Sequence, residues 1–295
     1  MAEPEQLHSK EREKLRIGVS TIPYIKKDAN DRNRTSPFAF TGNKFELRMV
    51  GASMSIADAN TVLNSIVADS LSDFADVLEK AQDFDKAVVD IICSTINEHK
   101  RVIFDGNGYS KEWIEEASKR GLPNKESYVD AIECLNYDST VEMFERQGVL
   151  SRQELESRVE ISYELYSKTV NIEARTMIEM ASRKFIPATV KYVKLIADTI
   201  NSVSSALDES EADNTREMLG ECLELLGDAR RALKRLNDNV STAARIVDEK
   251  EKARYFRDYV VKAMRDLRAP VDVLESLVDA ELWPVPTYGE MMFEI

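Results

Sequence analysis

The sequence predicts a mainly α protein with a short N-terminal β segment, an α+β chain whose strand signals all come first. Three observations carry that reading. β-Branched residues and period-two alternation are concentrated before residue 51. From Asp58 onward apolar residues recur at three- and four-residue intervals. Between Val193 and Val247 that spacing holds long enough to define two coiled-coil seams.

The elements follow in order. Residues 1–13 are polar. Leu15 to Ile22 (LRIGVSTI) is the first strand, ended by Pro23, and Phe38 to Val50 is the second, broken at Gly42. Two strands are too few to be stable alone, so they read as pieces of a sheet whose other strands are absent. Ala59 to Ala81 is the first helix, with Val62, Ile66, Leu71, Phe74, Val77 and Leu78 at helical spacing. Asp85 to Phe104 follows, with Val88, Ile91, Ile92 and Ile96 expected to face inward. Asp105 to Gly108 is a turn, and Ser110 is the N-cap of the next helix. Short helices are expected near Lys111–Lys119, Lys125–Cys134 and Ser139–Gln147.

Ser151 with Glu154 forms a capping box, and the helix it starts should run to about Leu207 with a kink at Pro187. Val193, Ile196, Ile200, Val203 and Leu207 make one seam. Leu219, Cys222, Leu226, Ala229, Leu233, Leu236, Val240, Ala243 and Val247 make the other. Joined by the acidic stretch DESEADN, the two predict an antiparallel helical hairpin. A final helix near Lys252–Leu267 is expected to stop before Pro270.

The 295 residues could bury a large core in one or two domains. Hydrophobic content of 43% with 32% charged residues describes a soluble, helix-rich protein. A net charge of -13 argues against nucleic acid and anionic membranes as partners, since both demand a cationic face. No apolar run approaches the ~18 residues of a membrane span. The start, MAEPEQLHSKEREK, has no apolar core that would direct export. Cys93, Cys134 and Cys222 sit singly with no CxxC spacing, as reduced cytoplasmic thiols packed like small apolar residues would. The two histidines, His8 and His99, offer little for a histidine-based site, and His99 suits a helix C-terminus.

One stretch reads as an active site: DRNRTSPFAFTGNKFELRMVG, Asp31 to Gly51. It gathers Arg34, Lys44, Glu46 and Arg48 around the turn residues Pro37, Gly42 and Asn43. Alternation puts Phe45 and Leu47 on one strand face and Lys44, Glu46 and Arg48 on the other. A carboxylate between two cations can hold a divalent metal while the cations neutralise phosphate oxygens. The plainer alternative is an exposed strand with a charge ladder. Asp105–Gly108 lacks the Lys-Ser/Thr of a phosphate loop and reads as a turn. Glu154–Glu156 and Glu221–Glu224 read as solvated helix faces.

Asn33-Arg34-x-Ser36 followed by Asn43-Lys44-x-Glu46-x-Arg48 resembles the late active-site segment of glutamine synthetases. The wording NRTSPFAFTGNKFE-x-R is similar to the type III branch. So are FDGNGYSKEW (Phe104 to Trp113), YSKTVNIEARTMIEMASRKFIPA (Tyr166 to Ala188) and LWPVPTYGEMMF (Leu282 to Phe293). The resemblance runs in order from about Leu15 to the end. It implies the end of a catalytic domain over residues 1–105 and a helical C-terminal domain over residues 106–295.

The resemblance further implies ATP-dependent ligation of ammonia to glutamate with Mg²⁺ or Mn²⁺, in a homo-oligomeric ring whose sites lie between subunits. Glu46 matches the glutamate that binds the metal bridging the nucleotide phosphates. Arg48 matches the arginine at the transferred phosphoryl group and substrate glutamate. Arg34 faces ATP phosphates, and Lys44 stands where many relatives have arginine. Two departures matter. Phe38, Ala39 and Phe40 follow Pro37 where many relatives carry a second arginine. Upstream, Glu3, Glu5, Glu11, Glu13, Asp28 and Asp31 match none of the remaining metal or base motifs. A truncated enzyme, inactive by itself, is therefore expected. The rival expectation is a non-catalytic helical interaction module.

Overall fold

The computed structural model describes residues 14–15, 25–26, 37–40, 44–52, 54–104, 106–286 and 288–293. These fall into two compact units, Met1–Lys125 and Glu126–Ile295. The architecture is mainly α, with strands confined to the beginning.

In the first unit β1 (Lys14–Leu15) pairs antiparallel with β2 (Ile25–Lys26). The rest of the expected Leu15–Ile22 strand lies outside the described residues. β3 (Phe38–Phe40) and β4 (Phe45–Leu47) form a second antiparallel pair, with Phe38 opposite Leu47 and Ala39 opposite Glu46. The single broken strand expected over Phe38–Val50 is thus a hairpin. Antiparallel pairing lets each short strand satisfy the other's backbone.

α1 (Ala57–Leu78) and α2 (Phe84–His99) follow. Asp83 caps α2 by accepting from the Lys86 amide at 3.1 Å, and His99 closes it. Their apolar stripes are less buried than the spacing suggests. Ile66, Leu71, Val77, Ile92 and Ile96 are all exposed, while Val88 and Ile91 are half-buried. Periodicity marks the face a helix offers and says nothing of whether a neighbour covers it. α3 (Lys111–Lys119) starts at Ser110, whose hydroxyl accepts from the Trp113 amide at 3.3 Å. Phe104 stacks on Trp113, and Arg120 lies over the same indole while donating to the Ile103 carbonyl at 2.8 Å.

The second unit is helical throughout. α4 (Tyr128–Ile132) and α5 (Asp138–Arg146) lead to α6 (Arg152–Met180). The expected capping box is present: the Ser151 amide donates to Glu154 at 2.8 Å, and the Glu154 amide returns to the Ser151 hydroxyl. The Ser151 amide and the Ser151 hydroxyl, both donating to that carboxylate at 2.8 Å, hold the Glu154 carboxyl below its ordinary range. α6 does not stop at Pro187. It passes through a π-helical turn, Ala181–Phe185, into α7 (Ile186–Ala206). Pro187 has no N–H to give and its ring crowds the preceding turn, so one wide turn upstream absorbs both costs.

A 3-10 turn (Glu209–Ala212) joins α7 to α8 (Asp213–Ala243), completing the expected hairpin. Cys222, Leu226, Ala229, Leu236, Val240 and Ala243 are buried along α8, with Leu233 half-buried. The seams end sooner than the spacing implied. Leu207 is 63% exposed and Val247 89% exposed, each just past a helix end. From Ala229 onward the α8 seam shares its core with Leu267 and Leu274 of a third helix and with Val170 and Ala174 of α6. That third helix follows α9 (Glu249–Tyr255) and a second π-helical turn (Phe256–Val260). It is α10 (Val261–Leu277), which runs straight through Pro270. The expected stop before Pro270 is overturned. An internal proline costs about 3 kcal/mol. Here it lies buried beside Leu267, Val271 and Leu274, whose burial outweighs one lost hydrogen bond.

Ion pairs fasten the start of the unit to α9 and the turn after it. Arg257 donates to Asp130 at 2.6 Å and grips Asp258 at 2.6 and 3.0 Å, while Lys250 reaches Glu133 at 2.6 Å. The C-terminal segment ends in α11 (Tyr288–Phe293). Before it, Trp283 stacks on Phe185 at 5.0 Å and its indole N–H donates to Glu275.

Candidate functional site

The β3–β4 hairpin carries the site residues that the structure describes. The Arg48 amide donates to the Pro37 carbonyl at 2.8 Å, one step beyond the ladder, and so fixes the backbone where Arg48 leaves β4. Phe38 and Phe45 stack at 5.0 Å across the two strands. Ala39, opposite Glu46 in the register, is buried at 3% exposure.

On β4 the expected face is formed. The Arg48 guanidinium lies 3.3 Å from a Glu46 carboxylate oxygen, the i,i+2 relation that strand alternation demands. Arg48 is mostly covered, with its side chain 19% exposed against 49% for Glu46. Lys44 stands exposed where β4 begins. Arg34 lies outside the described residues, as do Asn33, Ser36, Gly42 and Asn43, so the structure unites Glu46 with Arg48 and leaves Arg34 unplaced. The companion face expected for Phe45 and Leu47 is only half covered: Phe45 is 62% exposed and Leu47 intermediate.

Two features of this segment were not legible in the sequence. One is the use of the Pro37 carbonyl as the anchor for Arg48. The other is Val50, which adopts φ of 69°, a left-handed conformation that a β-branched residue takes only under strain. Nothing in Arg48-Met49-Val50-Gly51 signals it, since the left-handed position would be expected at Gly51.

The chemistry open to this face follows from its charges. Lys44 and Arg48 against one carboxylate leave it net cationic, suited to phosphate or carboxylate oxygens. Glu46 offers oxygen ligands to a hard cation, but such a cation takes six or more oxygens. Among the described residues, no group of three or more His, Cys, Asp or Glu side chains could hold a metal. The described residues therefore fit one edge of a metal–phosphate site, with Glu46 as a single ligand.

Away from this hairpin, the cysteines are reduced thiols. Cys222 is buried as expected, with its thiol pushed up by that burial, whereas Cys93 is exposed rather than packed in a core. The two distant segments Tyr166–Ala188 and Leu282–Phe293 prove to be neighbours through the Phe185–Trp283 stack.

The described residues thus form a helical unit preceded by a strand pair that carries a carboxylate paired with a guanidinium. The family follows from similarity. Residues 87–204 match the glutamine synthetase C-terminal domain. The chain is 36% identical over 284 residues to the type-3 glutamine synthetase of Dictyostelium discoideum, covering 94% of this chain and 39% of that protein. It is 35% identical over 283 residues to a glutamine synthetase of Butyrivibrio fibrisolvens, covering 91% and 39%. Against a Bacteroides fragilis glutamine synthetase it is 30% identical over 291 residues, covering 96% and 40%. The chain belongs to the glutamine synthetase family, matching the C-terminal portion of a type-3 member. It spans about two-fifths of the length of the curated relatives it matches.

Proposed function

We propose that this chain acts as the C-terminal part of a type III glutamine synthetase, which uses ATP to ligate ammonia to glutamate. The pairing of Glu46 with Arg48 on one strand face carries the reading. Glu46 would be one ligand of a bound Mg²⁺ or Mn²⁺ ion, offering it a carboxylate oxygen beside the nucleotide. That metal, when bound, neutralises charge on the transferring phosphoryl group. Arg48 is the catalytic residue of this segment. Its planar guanidinium, fixed through the Pro37 carbonyl, engages phosphoryl oxygens as charge develops on them. Until then Glu46 neutralises Arg48, an interaction of no more than about 1 kcal/mol with the carboxylate half exposed to solvent. Lys44 and Arg34 hold ATP phosphates.

Residues 1–105 correspond to the end of the catalytic domain and residues 106–295 to the helical C-terminal domain. The α7–α8 hairpin serves structure and assembly into a homo-oligomeric ring with no nucleic acid or membrane partner. Among the described residues no helix is long and apolar enough to cross a membrane. The reduced cysteines fit a cytoplasmic location.

One acidic ligand does not make a metal site, so the chain by itself should be inactive. The assay is phosphate release and γ-glutamyl transfer on purified chain with ATP, glutamate, ammonia and Mg²⁺ or Mn²⁺. Losing even one stabiliser of the transition state costs about 100-fold or more. Turnover above the no-enzyme blank would remove the reading of this segment as one edge of the site.

A further inference from the structure

We propose that the groove beside the first π-helical turn binds a small organic polyanion, at a site separate from the β4 face. Two adjoining cavities of about 380 and 400 Å³ lie there, sharing Ile178, Ser182 and Asn237. Each falls in the size range of a metabolite pocket. One wall is the end of α6 with the π-turn, and the other is α8, so the groove lies wholly within the second unit.

Its charge sets it apart. Arg175, Arg183, Arg230 and Lys234 line it with a single carboxylate, Glu179. Glu179 pairs only loosely with Arg183, at 3.7 Å. Arg175 spends one N–H on the Asn171 side-chain oxygen. Among the described residues, no carboxylate lies within ion-pair distance of Arg175, Arg230 or Lys234. The groove thus carries four cations against one acid in a chain whose net charge is -13. Uncompensated cations facing one another across a cleft repel, and a multiply charged anion between them removes the repulsion.

The floor narrows the ligand class. Ile178, Leu233 and Val240 provide an apolar strip, and Ser182, Asn237 and Ser241 provide hydrogen-bonding groups beside it. The π-turn makes the arrangement possible. Its wider winding shifts Ser182 and Arg183 round the helix relative to an unbroken α-helix and turns both toward α8. A ligand with two or more phosphate or carboxylate groups on a compact body matches rim and floor together.

Isothermal titration of the chain with inorganic tripolyphosphate and, separately, with citrate tests this. A saturable one-to-one isotherm with either is expected, weakening as salt rises from about 50 to 250 mM. Preference for the first assigns a phosphorylated ligand, and preference for the second a polycarboxylate. Arg230→Ala/Lys234→Ala should weaken binding at least about tenfold, and so should Arg175→Gln on the opposite wall. Lys262→Ala, an exposed cation of α10 outside both the groove and the β4 face, should leave the isotherm intact, which separates the groove from a general loss of positive charge. All three variants change exposed side chains, and circular dichroism checks that they fold. Binding of neither anion, or binding indifferent to both groove variants, would overturn the site. So would a groove variant that only dissociates an oligomer, because the cleft would then receive a second copy of the chain.

Discussion

Glu46, Arg48 and Lys44 share a strand face yet should respond differently to substitution. In an enzyme that carries this segment, Glu46→Gln keeps the shape and removes the charge a hard cation requires, so turnover should collapse while folding persists. Arg48→Lys should also be damaging, because an ammonium cannot reproduce the bidentate fork held at the Pro37 carbonyl. Lys44→Arg should be the mildest of the three. A simple charge ladder predicts small, similar effects for all, within about 1 kcal/mol. Steady-state kinetics decides, and near wild-type turnover for Glu46→Gln would discard the assignment. At this scale the sequence was most legible where a residue acts on its immediate neighbours. Ser110, Ser151 with Glu154, and His99 all serve the helix ends they mark. It was silent where partners are remote, as with Arg257 and Asp130, or where strain is imposed from outside, as at Val50.

Among the elements, α8 has the sharpest register. Leu236 is fully buried, Leu233 is half-buried and Lys234 is exposed. Leu236→Ala should therefore cost about 2–5 kcal/mol. Leu233→Asp should cost less than it would at Leu236 but still be clearly destabilising, since it places an unpaired charge against the facing helix. Lys234→Asp should stay within about 0.5 kcal/mol. Urea unfolding of the three variants measures this, and equal effects at 233 and 234 would mean the register is wrong. Helix existence was legible for all but the six-residue α11, because three-four spacing is a local property. Helix continuity was legible at Pro187, where one run from Ser151 to about Leu207 was expected, but not at Pro270, where packing carries the helix through the signature of a break. Nor could spacing tell that the α8 seam would meet α10 and α6 as well as α7, because a seam records the need for a partner without naming it.

For the molecule as a whole, two sets of ionisable groups bound the pH range of stability. Burial raises the Cys222 thiol and the Tyr163 and Tyr166 phenols. The unfolded chain gives up these protons first, near pH 9.0 for cysteine and 10.0 for tyrosine. Above those values the folded state binds more protons than the unfolded one, so stability falls as pH rises. On the acid side Asp258 is lowered by the Arg257 hydrogen bonds, and Glu154 by the Ser151 amide and hydroxyl. Their stabilisation is present above about pH 4 and lost as pH falls through their folded values. Thermal melts from pH 3 to 11 should show a plateau falling away at both ends, and a Tm still rising at pH 10 would contradict it. Hydrogen exchange should be slow across the α6, α8 and α10 core and fast in the β3–β4 hairpin, whose strands are three residues each. Equal protection would show that the hairpin has gained further partners. The division between strand and helix was plain in the sequence because it rests on periodicity, whereas the exposed stripes of α1 and α2 depend on what surrounds them.

The two π-helical turns have a consequence for inheritance. Each holds one residue more than an α-helix needs over the same rise, so a single codon can be lost there without severing the rod. Because the wider turn absorbs that residue, the apolar faces on either side would keep their present phase. Lineages descended from this gene can therefore differ in length by one at Ala181–Phe185 or Phe256–Val260, and the groove wall would record which of them kept the spare residue.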